Sequence, residues 1–186
     1  MTRYLFQANK GFDSRELESI FLNYDANPVF TYITPLKGMI ETEKNIDDVL
    51  SMKAFEIHNR LGVFISFLRV PNKGNLSLKL LDKCLSYYPN AFRYMSDILF
   101  KELTFGDYSS LPLLSREFIN VPKDIMSTIG AYLREGMDGS KASKSLYIHR
   151  NTFLFRLDKF IKMTNLDVRD YHDALLLEIY FQLASH

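Results

Sequence analysis

Residues 45–70 read NIDDVLSMKAFEIHNRLGVFISFLRV, and the fold class turns on where the helix inside this stretch ends. Apolar side chains at positions 46, 50, 54, 57, 61, 64 and 68 recur every three or four residues, the spacing that lines up one stripe of a helix. On that count residues 46–68 form a single long amphipathic helix running through Gly62. The tail GVFISFLRV (62–70) also has the β-branched and aromatic content of a strand, but the helical period spans more residues and is preferred. Two more stretches keep the same period, LSLKLLDKCLSYY (76–88) and AFRYMSDILFKEL (91–103), with Pro71, Gly74, Pro89 and Asn90 punctuating the gaps. Nearer the N-terminus, DSRELESIFLNY (13–24) reads as a helix capped by Asp13 or Ser14, and only PVFTYIT (28–34) reads as a strand. The expected fold class is therefore mainly α, with residues 1–120 a helical regulatory or dimerisation region.

A second region, 121–186, is expected to be a compact four-helix unit. Pro122 suits a first helical turn, Ile125, Ile129 and Leu133 mark a buried face, and Gly136 stops the helix. MDGS (137–140) makes a turn from which Ser140 caps a short helix through Leu146. A third helix opens at HRNT (149–152) and runs to about Met163, where Asn165 suits a left-handed C-cap. Asp170 then caps a last helix, YHDALLLEIYFQL (171–183).

At 186 residues the chain is long enough for one domain or two small ones. Hydrophobic residues make up 47% and charged residues 24%, and the longest apolar run, LGVFISFL (61–68), is far short of the roughly 20 residues that a bilayer requires. MTRYLFQANKGFD (1–13) turns polar after three apolar residues, unlike a signal peptide, so a cytoplasmic protein without a membrane is expected. Cys84 is the only cysteine, which excludes an internal disulfide and a multi-cysteine zinc site; at helical spacing from Leu80, Leu81 and Leu85 it reads as core. A net charge of +1 argues against a strongly basic nucleic-acid binder, although an average conceals clusters.

One such cluster lies between 140 and 162. The short helix carries small residues, Ala142 and Ser143, that let another helix cross closely. Leu146, Ile148, Phe153 and Leu157 supply an apolar seam, and a tight turn falls at Tyr147 and Ile148. This is helix-turn-helix spacing, in which the second helix enters the DNA major groove with its N-terminal residues near base edges. Arg150 can pair with guanine O6 and N7, Asn151 with adenine N6 and N7, and Thr152 with a base edge, a thymine methyl or a phosphate. Lys141, Lys144, Arg150, Arg156, Lys159 and Lys162 stand against one acid, Asp158, with Arg156 expected to face phosphate. Lys159 and Lys162 also suit a solvated helix face. Phe155 lies off the apolar seam and has no assigned place, whereas Leu154 is expected on the Leu157 side.

Residues 128–183, TIGAYLREGMDGSKASKSLYIHRNTFLFRLDKFIKMTNLDVRDYHDALLLEIYFQL, resemble the C-terminal helix-turn-helix of PucR/CdaR-type bacterial transcription regulators. The resemblance rests on Leu133 with Gly136, Ala142 with Leu146, the string Ile148 to Thr152, Phe155 to Leu157, and Asn165 with Leu166 and Asp167. A looser likeness to the Fis-type helix-turn-helix covers Ile148, Arg150, Thr152 and Leu157. Ser143 stands where the family usually has alanine, and Phe155 where it has tyrosine. LTFGDYSSLPLL (103–114) faintly resembles the segment that precedes the family's DNA-binding unit. Members generally also carry a larger sensory region and an α/β middle domain, whose strands are not legible in the first 120 residues.

The resulting expectation is a DNA-binding transcriptional regulator whose DNA-binding residues are Lys141, Lys144, His149, Arg150, Asn151, Thr152 and Arg156. Its partners are double-stranded DNA and a second copy of itself, because one short helix contacts few bases. A small-molecule effector or protein partner would use the Phe- and Tyr-rich N-terminal region, and no cofactor is expected. The alternative is an interaction adaptor or antagonist with a degenerate helix-turn-helix, to which the low net charge and an outward Phe155 are suited. Catalysis has no residues to stand on: there is no P-loop, G-x-S-x-G, H-E-x-x-H or C-x-x-C. His149 lacks an orienting partner for acid–base work and reads as a DNA contact, a helix cap or a structural histidine. His58 reads as structural, and His172 and His186 match no metal-ligand spacing.

Overall fold

The computed structural model describes residues 1–25 and 27–184; His186 lies outside them. The chain divides into two compact units, Met1–Asp107 and Tyr108–His186. No helix among the described residues is long and apolar enough to cross a membrane.

The first unit is α/β, which corrects the helical N-terminal region expected from periodicity. Its elements run β1 (Thr2–Ala8), α1 (Ser14–Phe21), β2 (Val29–Thr34), β3 (Lys37–Thr42), α2 (Asp47–Leu61), β4 (Ile65–Val70), α3 (Asn75–Tyr87), β5 (Phe92–Tyr94) and α4 (Met95–Thr104). Among the described residues five strands form one mixed sheet of order β2-β3-β1-β4-β5, antiparallel except for the β4–β5 pair. The expected 46–68 helix stops at Leu61 because Gly62 takes the left-handed conformation (φ 65°) and its N–H closes onto the carbonyl of His58. Beyond that stop the chain enters β4, a central strand. β1 and the first residues of the expected 91–103 helix are strands as well, whereas α1, capped by Asp13, and β2 fall where the sequence put them.

Both sheet faces are covered. Tyr4, Phe6, Ile40, Ile65 and Phe67 point into a core closed by Leu17, Ile20 and Phe21 of α1 and Leu50, Ala54 and Ile57 of α2. Leu5 and Leu68, register partners, alternate onto the other face, where α3 packs on β1 and β4 with Leu80, Leu81 and Cys84 buried. Cys84 is thus the core residue its spacing implied. Asp47 opens α2 from an almost buried position. Its carboxylate accepts from the hydroxyls of Tyr4 (2.8 Å) and Tyr94 (3.1 Å) and from the Arg69 guanidinium (2.7 Å), which fixes α2 to β1, β4 and β5. His58 is structural here: its Nδ1 meets the carbonyl of Val63 at 2.8 Å, and its ring stacks on Phe64.

The second unit is all helix among its described residues: α5 (Leu111–Glu117), α6 (Lys123–Arg134), α7 (Gly139–Ser145), α8 (Arg150–Thr164) and α9 (Tyr171–Ala184). Ile125 and Ile129 form the buried face of α6, as their spacing implied; Pro122 sits one place before the helix as its N-cap. Phe118, just past α5, stacks near Phe160 of α8 and meets Tyr180 of α9 edge-on at 4.7 Å between ring centres. Leu157, Phe160, Leu166, Val168, Leu176 and Leu177 complete the core. Asn165 (φ 57°) closes α8, and the Asp170 carboxylate caps α9 by accepting from the N–H groups of His172 and Asp173.

Candidate nucleic-acid interface

The turn that separates α7 from α8 is set by three local devices. Asp138, rather than Ser140, caps α7: its carboxylate accepts from the N–H groups of Ser140 (2.8 Å) and Lys141 (3.1 Å). Those same amides hold its carboxyl below the usual carboxylate range. Sequence alone favoured the serine because three residues in a row, Asp138 to Ser140, suit a cap or a turn. At the other end Tyr147 adopts φ 54°, its N–H reaching the carbonyl of Lys144 and that of Ile148 reaching Ser143, both at 3.0 Å. That crossed pair is the Schellman closure. His149 then starts α8, its Nδ1 accepting the N–H of Asn151 at 3.2 Å. The histidine is a helix cap.

Close crossing of α7 and α8 follows from the small side chains of α7. Ala142 and Ser143 are buried, and a Cβ added to Gly139 would stand 2.9 Å from Cε1 of Phe153. Phe153, 2% exposed, is wedged between Gly139 and Tyr132 of α6, whose ring centre lies 5.6 Å away. Along α8, Phe153, Leu157, Phe160 and Thr164 make the buried stripe. At 100° per residue Asn151, Phe155, Asp158 and Lys162 fall on the opposite side, with Arg150 and Leu154 on one flank and Thr152 and Lys159 on the other.

The exposed first turn therefore gathers Arg150, Asn151 and Thr152, beside exposed His149, with Lys141 and Lys144 exposed on α7. Lys144, Arg150, Lys159 and Lys162 have no carboxylate partner among the described residues, while Lys141 is 3.9 Å from Asp138. Arg156 is placed differently. Its guanidinium is mostly covered, 3.1 Å from the Asp124 carboxylate and 3.3 Å from the Thr128 hydroxyl, and so ties α8 to α6. Phe155 is 65% exposed and Leu154 is also exposed, off the Leu157 side.

The match to known proteins falls on these same helices. Residues 125–183 match the model of the PucR C-terminal helix-turn-helix domain. This segment is a PucR helix-turn-helix domain. Over 56 residues the chain is 39% identical to the carbohydrate diacid regulator of Escherichia coli (strain K12), a stretch covering 30% of this chain and 14% of that protein. Over 53 residues it is 32% identical to the uncharacterized protein YxkF of Bacillus subtilis (strain 168), 28% of this chain and 18% of that one. The chain thus spans less than a fifth of the length of these curated relatives. A solved structure, the regulator of polyketide synthase expression from Bifidobacterium adolescentis, shares the fold across 98% of this chain and 79% of its own. Its TM-score is 0.50 at 14% identity. The match covers residues 125–183 alone, and the sheet-bearing unit that precedes it is α/β rather than helical.

Two residues of the PucR domain were read in the sequence only as parts of turns. Gly139 looked like a turn glycine, but it is the contact that lets Phe153 in. Tyr147 looked like a turn residue, yet the signal was there: a helix end at Leu146 followed by neither glycine nor asparagine.

Proposed function

We propose that the PucR domain binds double-stranded DNA sequence-specifically and that the protein regulates transcription with it, in the cytoplasm. The observation that carries this reading is the exposed first turn of α8, where Arg150, Asn151 and Thr152 stand clear of the core at a positive helix terminus. Arg150 and Asn151 read base edges, Thr152 takes a base edge or phosphate, and Lys141 and Lys144 contact the backbone. His149, with Nδ1 committed to the cap, keeps Nε2–H to offer a phosphate. Arg156 supports by holding α8 at its angle, within reach of phosphate only if it leaves Asp124. Each copy reads a short half-site, so the protein works as a dimer; exposed Met52, Phe55 and Phe64 on the first unit suit self-association or an effector.

Fluorescence anisotropy of the full chain on a fragment of its own promoter region tests the reading. Affinity is expected to fall steeply with salt, with a log–log slope of roughly −0.9 per phosphate neutralised. Arg150→Ala should weaken specific binding by ~1 to 3 kcal/mol and relax the preference for the site. An absence of DNA binding at low salt defeats the proposal. It would favour the second reading, a protein-interaction module using Phe155, Leu154 and Tyr147, each of which is exposed.

A further inference from the structure

Tyr147 is the most solvent-exposed large hydrophobic side chain of the described residues, at 97%, and it holds φ 54°. A left-handed tyrosine is disfavoured because its Cβ crowds the backbone, which is why such positions favour glycine or asparagine. The chain follows that rule elsewhere: Gly62 and Gly136 take the left-handed place after α2 and α6, and Asn165 after α8. Met137 is the other bulky left-handed residue beside a helix end of this unit, and it differs in being two-thirds covered, so packing offsets its backbone. Tyr147 gains nothing of the kind. Its ring buries almost no surface, and the Schellman closure it completes uses only main-chain groups, which glycine would supply with less strain. A residue that strains the fold and adds no packing is one whose side chain serves outside the fold.

Its place says what for. Tyr147 lies three residues before Arg150, so their Cα atoms are within about 11 Å of each other, and a duplex meeting the first turn of α8 passes over the turn as well. We infer that Tyr147 is a DNA-backbone contact. Its hydroxyl donates to a phosphate oxygen beside the half-site while its ring lies along the sugar edge. This inference rests on the DNA-binding reading above. A phosphate contact fixes the protein's register on the duplex without reading sequence. Being uncharged, Tyr147 contributes affinity without releasing a counterion.

The full chain with Tyr147→Gly, Tyr147→Asn and Tyr147→Phe provides the test, by thermal melting and by anisotropy on the promoter fragment and on an unrelated duplex of equal length. Glycine and asparagine suit the left-handed backbone, so both variants should melt at or above the wild-type temperature. Both should bind three- to tenfold more weakly on the promoter fragment and on the unrelated duplex alike, with the salt slope unchanged. Tyr147→Phe should lose a part of that affinity. Wild-type affinity in the glycine and asparagine variants overturns the inference, as does a loss confined to the promoter fragment or a slope lowered by a whole charge. If the wild-type chain binds no duplex, the DNA-binding reading itself has failed; if it binds and the variants match it, only Tyr147 has been misassigned.

Discussion

Replacing Gly139 with alanine should destabilise the PucR domain even though alanine is the better helix former. The added Cβ would meet Cε1 of Phe153 at 2.9 Å, with Cζ at 3.5 Å and Cδ1 at 3.6 Å. Carbon atoms in good contact sit roughly 3.5 to 4.0 Å apart, so the ring must yield by about 0.6 Å. It has little room, being 2% exposed and packed on Tyr132. Overpacking of this kind costs about 1 to 3 kcal/mol, and the helix preference for alanine over glycine returns at most about 1. With that preference returned in full, the net loss is up to about 2 kcal/mol. Peptide-resolved hydrogen exchange on the full chain reads it directly, since each 1.4 kcal/mol is about tenfold in the exchange of amides that open with the whole unit. Exchange should quicken across α6 to α8 and stay unchanged in the sheet. Gly139→Ala with Phe153→Leu should recover part of the loss, because the leucine removes the ring edge that collides. Unchanged or slower exchange in α6 to α8 of the single variant would refute the claim that Phe153 needs the glycine.

His149→Ala should cost about 1 kcal/mol of domain stability by removing the α8 cap, whereas His149→Ser, a residue that also caps, should retain most of it; thermal melts of the two variants decide the matter. Asp47→Ala should cost about 3 kcal/mol or more, measured by urea unfolding, since it strips the ion-pair and hydroxyl partners from Arg69, Tyr4 and Tyr94 at once. Burial pushes the Cys84 thiol up from 9.0 to about 12, so the native chain should resist a thiol reagent at pH 8 and label only as it unfolds. The same shift means that the folded chain keeps a proton the unfolded one releases: this contribution to stability is whole below the unfolded pKa and is lost as pH climbs from there towards 12.

The α8 surface was legible in the sequence because the signals there are local. Asp170, Asn165 and the HRNT turn declare helix ends through side chains that act within a few residues of their own backbone. The sheet was not legible, for a reason visible at β4. A strand buried on one face alternates apolar and polar; Ile65, Ser66, Phe67 and Leu68 are buried on both faces, so alternation vanishes and the run reads as continuous apolar sequence. Phe64 and Leu68 fall by chance into phase with the stripe of α2, so that Gly62, the real stop signal, passes for a tolerated interruption. β1 hides in the same way, with Tyr4, Leu5 and Phe6 all buried, and β5 is too short to show any period.

The low net charge of the chain is compatible with DNA binding because two acids near the interface are engaged by groups of their own unit. Asp138 spends its carboxylate on two α7 amides, and Asp124 spends its own on Arg156. On the proposed reading Lys141, Lys144, Arg150, Lys159 and Lys162 act on the duplex with one exposed acid among them, Asp158, which shares the outward face of α8 with Asn151 and Lys162. Five cations per copy give a salt slope of roughly −4.5 at most, which is modest beside a protein that contacts six to ten phosphates. Affinity from charge alone would be weak at physiological salt, so specific binding has to come from sources that charge does not supply: a second copy that doubles the contacts, and neutral ones from the first turn and its approach. An exposed tyrosine held at the entrance in a conformation that glycine would tolerate better is a residue suited to that need.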